Sequence, residues 1–158
     1  MNLLESYLTE LREIHDSGAA TKETSGYPVL VKLLDAVGHS LKPKIRCIIQ
    51  LRNSGAGLPD GGLFTPDQLK HTDEEAPLFG LAPARGVIEV KSASEHLSSV
   101  AQTQKVKDYL AHYGQLLLTN YRDFLVLKRA PGNAPQWPVF GARISAPIFS
   151  GVSAQRIS

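Results

Sequence analysis

The octapeptide RGVIEVKS, Arg85 to Ser92, constrains this chain more than any other stretch of it. Val87, Ile88 and Val90 are β-branched and read as the middle of a strand on its way through a core. Glu89 and Lys91 interrupt that strand with opposite charges. Residues two apart in a strand leave it on the same face, so a carboxylate and an ammonium stand side by side at the end of an otherwise apolar segment. The plain reading is an ion pair on an edge strand facing water. The apolar character of the rest of the strand favours a functional site instead.

The periodicity around this strand sets out an order of elements. Leu4, Tyr7, Leu8, Leu11 and Ile14 recur at helical spacing and predict a helix over 2–16, ended by Gly18. ETSGYPVLVKLLDAVG predicts a second helix, with Thr24 or Ser25 as its cap, Pro28 in its first turn, Leu30, Leu33, Leu34 and Val37 as its stripe and Gly38 as its stop. From Lys44 the period becomes that of a strand: KIRCIIQL, a glycine turn RNSGAG, then a short glycine-broken strand LPDGGLFT. Residues 66–83 hold three prolines and an acidic patch, and are expected as a long surface loop. GVIEVKS follows, then an amphipathic helix over 97–113 with Val106, Tyr109, Leu110 and Tyr113 on one stripe, then strands QLLLTN and DFLVLKR. The order α-α-β-β-β-α-β-β argues for an α/β (α+β) fold, a mixed central sheet flanked by helices, over residues 1–130. The proline- and glycine-rich residues 131–158 read as a tail or linker, free or packed on that domain.

With 158 residues the chain is long enough for one domain with a proper core. No apolar run approaches the roughly 18 residues of a membrane span, and the acids near the N-terminus do not suit a secretory signal. One cysteine, Cys47, lies inside an apolar run. It excludes a disulfide framework, fits a reducing cytoplasm and is expected as core filler. The net charge of +2 does not announce a nucleic-acid binder. Lys42, Lys44 and Arg46, and again Lys105 and Lys107, cluster as a solvated face would. The five histidines show no HxH or HxxxH spacing, and Ser92 and Ser94 lack a G-x-S-x-G context, which disfavours zinc and serine-hydrolase chemistry.

Asp60, in GLPDGG, supplies the second half of a candidate site. As a turn residue it needs no function. If the strands around Asp60 and Glu89 pair across the intervening loop, however, their carboxylates meet. Two such groups repel, and a divalent cation removes the conflict. Mg²⁺ takes oxygen ligands, typically one or two carboxylates with waters and substrate phosphate oxygens. The backbone carbonyl of Val90, between the two charged side chains, is placed as a further ligand. Lys91 is placed to orient an attacking water or to neutralise phosphoryl oxygens.

GLPDGGLF with GVIEVKS resembles the signature of the PD-(D/E)XK nuclease superfamily. The resemblance implies a restriction-endonuclease-like fold, metal binding by Asp60 and Glu89, a catalytic Lys91, and Mg²⁺ as cofactor with Mn²⁺ able to substitute. Taken in order, ETSGYPVLVKLLDAVG, LKPKIR, GAGLPDGGLF, RGVIEVKS and VKDYLAHYGQLLLTNYRDFLVL are similar to the N-terminal endonuclease domain of single-chain restriction–modification enzymes, where it precedes an adenine-specific DNA methyltransferase. That similarity implies a site role for Glu23 and for a glutamine four places before a tyrosine on the helix after Lys91. Four places before Tyr109 stands Lys105, with Gln104 about 100° round the helix. Either the helix is turned to bring Gln104 in, or Lys105 does the phosphate-facing job. No Asn-Pro-Pro-Tyr motif and no glycine-rich cofactor loop follows residue 130, so the expectation is an isolated nuclease domain, a truncated product or one subunit of a split system.

The resulting expectation is a Mg²⁺-dependent DNA endonuclease of restriction–modification or related phage defence. Asp60, Glu89, Lys91 and Glu23 are its catalytic set, with Gln104, Lys105 and Tyr109 in support. Its expected partners are DNA, a methyltransferase or specificity domain or subunit, and a second copy meeting it on DNA, with no membrane. Two alternatives stay open: a catalytically inactive DNA-binding or docking module, and a repair or junction-resolving nuclease.

Overall fold

Asn2 starts the first helix, α1 (Leu3–Asp16). Its side chain accepts the Glu5 N–H and the Glu5 carboxylate accepts the Asn2 N–H, both at 2.9 Å, so two donors at the helix start are satisfied reciprocally. A 3₁₀ turn, Glu23–Gly26, runs straight into α2 (Tyr27–Ser40). Pro28 sits in the first turn of α2, but neither Thr24 nor Ser25 caps it. Gly26 holds the N-cap, without a side-chain bond. Gly38 does not stop the helix either. A Cβ there would lie 2.4 Å from the Ile45 carbonyl oxygen, so this glycine lets the returning chain press against α2, where the Ile45 N–H donates to the Gly38 carbonyl at 3.0 Å.

The computed structural model describes residues 2–18, 23–49, 58–70, 82–129 and 135–143, with the backbone alone for Glu23 and for 135–143. Among the described residues, six strands form one sheet in chain order: β1 (Arg46–Ile49), β2 (Gly61–Phe64), β3 (Val87–Val90), β4 (Gln115–Thr119), β5 (Asp123–Arg129) and β6 (Pro135–Arg143). Every neighbouring pair is antiparallel except β3 with β4. A parallel pair needs a crossover, commonly helical. Here α4 (Leu97–Ala101) and α5 (Gln104–Tyr113) supply it. The single helix expected over 97–113 is broken at Thr103, whose extended backbone caps α5, in keeping with threonine's preference for caps over helix interiors.

The stretch expected as a surface loop opens with a short helix, α3 (Pro66–Lys70). Residues 71–81, like the turn at 52–57, lie outside the described residues. Within the stretch expected as a tail or linker, residues 135–143 pair with β5 as the outermost strand of the sheet. Pro135 and Pro138 fit that position, because an edge strand does not need every N–H for its ladder.

The sheet is covered on both faces. Val87, Leu116, Leu118 and Leu127 pack beneath Leu97 and Ala101 of α4 and Val106, Tyr109 and Leu110 of α5. Ile88, Val90 and Cys47 pack against Tyr27 and Leu30 of α2 and against Tyr121, and α1 adds a further layer through Tyr7 against Val29 and Leu33. This is the mixed sheet flanked by helices that the sequence predicts. No helix among the described residues is long and apolar enough to cross a membrane.

Candidate active site

All four residues of β3 are buried, and Glu89, at 1 % exposure, lies as deep as its apolar neighbours. Side chains alternate along the strand. Val87 faces α4 and α5 while Ile88 and Val90 face α2, so Glu89 shares the α5 side with Val87. There its Oε1 accepts a hydrogen bond from Lys91 Nζ and another from Lys105 Nζ, each at 2.7 Å. Its Oε2 is also buried and has no hydrogen-bond partner among the described residues. A buried oxygen left without a donor costs on the order of 1–3 kcal/mol, so a carboxylate used on one side only is a costly placement for a purely structural residue.

The strand register brings Asp60 level with this residue. Gly61 lies opposite Ile88 and Gly62 opposite Val87, which carries Asp60 to the level of Glu89. The last rung between β3 and β4 is the Lys91 N–H bonding the Thr119 carbonyl at 2.7 Å. Successive N–H groups of a strand turn to opposite sides, so the Val90 N–H points toward β2, which begins only at Gly61. Asp60 Oδ2 takes that N–H at 2.7 Å in place of a strand carbonyl, and Asp60 Oδ1 accepts the Tyr27 hydroxyl at 2.8 Å. In a ladder the N–H and C=O of one residue serve the same neighbour, so the Val90 carbonyl leaves β3 on the Asp60 side.

Helix α5 covers the other flank. Lys105, in its first turn, has its ammonium on Glu89 and 5.5 Å from the centroid of the Tyr109 ring. Partial burial works against the charged form of Lys105, but its hydrogen bond to Glu89 and the charge of that carboxylate outweigh it, so its pKa is raised. Tyr109 is fully buried and its hydroxyl has no hydrogen-bond partner among the described residues. Burial first, and the Glu89 charge second, raise its phenol above the ordinary value. Gln104 points along the helix surface and donates to Asp108 at 2.8 Å. Of the two residues offered for this position, Lys105 stands at the carboxylate and Gln104 does not. Glu23 opens the 3₁₀ turn ahead of Tyr27, and its side chain lies outside the described residues.

Three residues that sequence reasoning passed over hold the site in place. Tyr27 reads as one more apolar residue at a helix start, and only its hydroxyl marks it as the donor to Asp60. Tyr121 takes a left-handed backbone, φ +72°, and its carbonyl accepts the Tyr7 hydroxyl at 2.8 Å. Its ring presses so closely on Gly26 that a Cβ there would lie 2.5 Å from Tyr121 Cε1. Gly26 and Tyr121 thereby fix the start of α2, from which Tyr27 reaches Asp60. Nothing in the local pattern of TNYRDF signals that contact, because it is made across the fold.

The donors gathered here are oxygens. Asp60, the free side of Glu89 and the Val90 carbonyl suit a hard divalent cation such as Mg²⁺ or Mn²⁺. Among the described residues no group of three or more His, Cys, Asp and Glu side chains is assembled, so any such ion would complete its shell with water or substrate. The unpartnered, buried Oε2 of Glu89 is the feature that fits one.

A chain of the cryoEM structure of the DrdV–DNA complex aligns with 89% of this chain at 19% sequence identity and a TM-score of 0.61. The two share a fold, a mixed sheet flanked by helices of the restriction-endonuclease-like kind. This chain spans 12% of that DrdV chain. A crystal structure of a candidate nuclease belonging to DUF820 from Anabaena variabilis aligns with 80% of this chain and 73% of its own length, at 15% identity and a TM-score of 0.45. No protein-family model and no curated protein matches the chain. On this fold, Asp60 stands just before β2, Glu89 within β3 and Lys91 just beyond it.

Proposed function

We propose that this chain is a divalent-cation-dependent DNA endonuclease that hydrolyses phosphodiester bonds. The observation that carries the reading is Asp60 held on the Val90 N–H, level in the sheet with a buried Glu89, one of whose oxygens is held by lysine while the other has no partner among the described residues. Asp60, Glu89 and the Val90 carbonyl would hold Mg²⁺, or Mn²⁺ in its place. When bound, such an ion lowers the pKa of water and polarises a phosphoryl oxygen. The chain's own residues do the rest. The Tyr27 hydroxyl and the Val90 N–H fix the Asp60 carboxylate. Lys91 presents an ammonium beside Glu89, where it can stabilise charge developing on the phosphoryl oxygens. Glu23, at the mouth of α2, is the further acidic residue of the set. DNA as substrate agrees with the DrdV structure being a complex with DNA. We further assign the activity to restriction–modification or related phage defence, with a methyltransferase or specificity domain choosing the sequence and a second copy cutting the opposite strand.

The test is nicking and linearisation of supercoiled plasmid with Mg²⁺ or Mn²⁺ by the wild type, Lys91→Ala and Asp60→Ala. Metal-dependent cleavage is expected, reduced by about 100-fold or more in each variant. Cleavage that survives both substitutions would put the chemistry elsewhere. A wild type that neither cleaves nor binds Mg²⁺ by calorimetry would overturn the reading.

A further inference from the structure

We propose that Lys105 is a positioning residue that couples cation loading to DNA binding: it occupies Glu89 until a divalent ion arrives and then moves to a phosphate of the substrate. The proposal rests on reading Asp60 and Glu89 as the cation ligands. Its starting observation is that Glu89 Oε1 carries two ammonium groups at once, Lys91 and Lys105, each at 2.7 Å. A carboxylate oxygen offers about two lone-pair directions, so that oxygen is fully used while Oε2 has no partner among the described residues.

The four charged side chains whose contacts define the site, Asp60, Glu89, Lys91 and Lys105, are neutral as a group. A divalent ion alone would add two positive charges that nothing balances, and phosphates alone would add negative charge to a neutral cluster. Each therefore makes the other's entry more favourable. Lys105 is the lysine free to move. Its side chain is 53% exposed against 21% for Lys91, and it stands on the surface of α5, whereas Lys91 adjoins a buried strand. Its ammonium already lies over the Tyr109 ring, 5.5 Å from the centroid, a contact it can keep as it leaves Glu89. Removing the Lys105 charge leaves the cluster negative, so a cation binds more readily without DNA and gains less when DNA is added.

The experiment measures Mg²⁺ binding to the full chain by calorimetry, alone and with a short phosphorothioate duplex, for the wild type, Lys105→Gln, Lys105→Met and Lys105→Arg. In the wild type the duplex should tighten Mg²⁺ binding by about five-fold or more, and Mg²⁺ should tighten duplex binding by the same factor. Lys105→Gln and Lys105→Met should bind Mg²⁺ alone more tightly than the wild type and gain at most about two-fold from the duplex. Lys105→Arg, which keeps the charge, should retain the wild-type coupling. The salt slope of duplex binding should fall by about one in the two neutral variants. Equal Mg²⁺ affinity and equal coupling in the wild type and the neutral variants would overturn the proposal. So would weaker Mg²⁺ binding in Lys105→Gln, which would make Lys105 a plain support of Glu89. Absence of Mg²⁺ binding in the wild type would remove the ligand reading beneath it, a failure distinct from the other two.

Discussion

Replacing Tyr27 by phenylalanine removes one oxygen from the molecule and tests how Asp60 is held. The Tyr27 ring is buried in the core beside Leu30, Ile88 and Val90, and Phe keeps that packing. What is lost is the donor at 2.8 Å from Asp60 Oδ1, leaving Asp60 with the Val90 N–H at 2.7 Å on its other oxygen. A hydrogen bond to a charged group contributes about 1.5–3 kcal/mol. Asp60 is only partly buried, so water replaces some of the lost bond, and the expected destabilisation is about 1–2 kcal/mol. In urea this appears as a lower midpoint at unchanged slope, and on heating as a loss of about 3–6 °C for a domain of this size. A partner that orients a metal ligand typically carries 10- to 100-fold in metal affinity or activity, so cleavage and Mg²⁺ affinity should both fall by about 10-fold or more. A double-mutant cycle with Asp60→Asn should return a coupling of at least about 0.5 kcal/mol. An unchanged urea midpoint with wild-type cleavage would refute the reasoning, since Asp60 would then be positioned by β3 alone.

Two further outcomes follow from the fold. Gly86 sits at φ +94°, where a Cβ would lie 2.5 Å from the Gln115 carbonyl oxygen. Gly86→Ala should therefore cost at least about 2 kcal/mol in urea unfolding, from backbone strain and a clash with β4 together; a smaller loss would mean that β3 and β4 can part at this point. Burial, and next the Asp35 charge, push the Cys47 thiol from 9.0 up to about 12. The unfolded thiol ionises first, so its contribution to stability is complete below pH 9.0 and is lost as pH rises toward about 12. Stability against pH should accordingly fall less steeply over that window in Cys47→Ala, and the native thiol should resist a thiol reagent until the protein unfolds; ready labelling of the folded protein would contradict this.

The parts of the fold written locally were legible in the sequence. Stripes at helical spacing marked α1 and α2, β-branched runs marked β1 and β3, and short apolar runs marked β4 and β5, because burial of one face imposes its period on the residues. Boundaries set by contacts from elsewhere were not. Gly38 reads as a helix stop and is a point of close approach, because the carbonyl that needs its missing Cβ belongs to Ile45. The strand Pro135–Arg143 is hidden by its prolines, which would exclude a central strand but not one at the sheet's edge. In the site, the charges of β3 stood out against their apolar neighbours, and the spacing that offered Lys105 or Gln104 left the choice to the rotation of α5. Tyr27, Gly26 and Tyr121 carried no such contrast. An aromatic residue, a glycine and a turn tyrosine become parts of one support only when the start of α2 packs on the turn after β4.

The place of the site follows from how β2 ends. Had that strand run two residues further, the Pro59 carbonyl would satisfy the Val90 N–H and Asp60 would be an ordinary ladder residue. Instead the strand begins at Gly61, where a Cβ would lie 2.8 Å from the Ile48 carbonyl oxygen, so the glycine after Asp60 lets β1 close in while the aspartate turns to complete the ladder with its side chain. The same residue lies level with Glu89 in the sheet. On the other side, β3 and β4 are the parallel pair of the sheet, and Glu89, Val90 and Lys91 lie at the carboxyl end of β3, where its chain leaves for α4 and α5. Open α/β sheets take ligands outside the carboxyl ends of their parallel strands, because there the helices of the crossover diverge from the sheet. A charge placed earlier in β3 would be enclosed by both layers with no route to a substrate. At this end Glu89 is buried in the sheet on one side and reaches two lysines, one of them half in solvent, on the other. The charged interruption of an apolar strand is thus tolerated only at the level where β2 stops and the crossover begins.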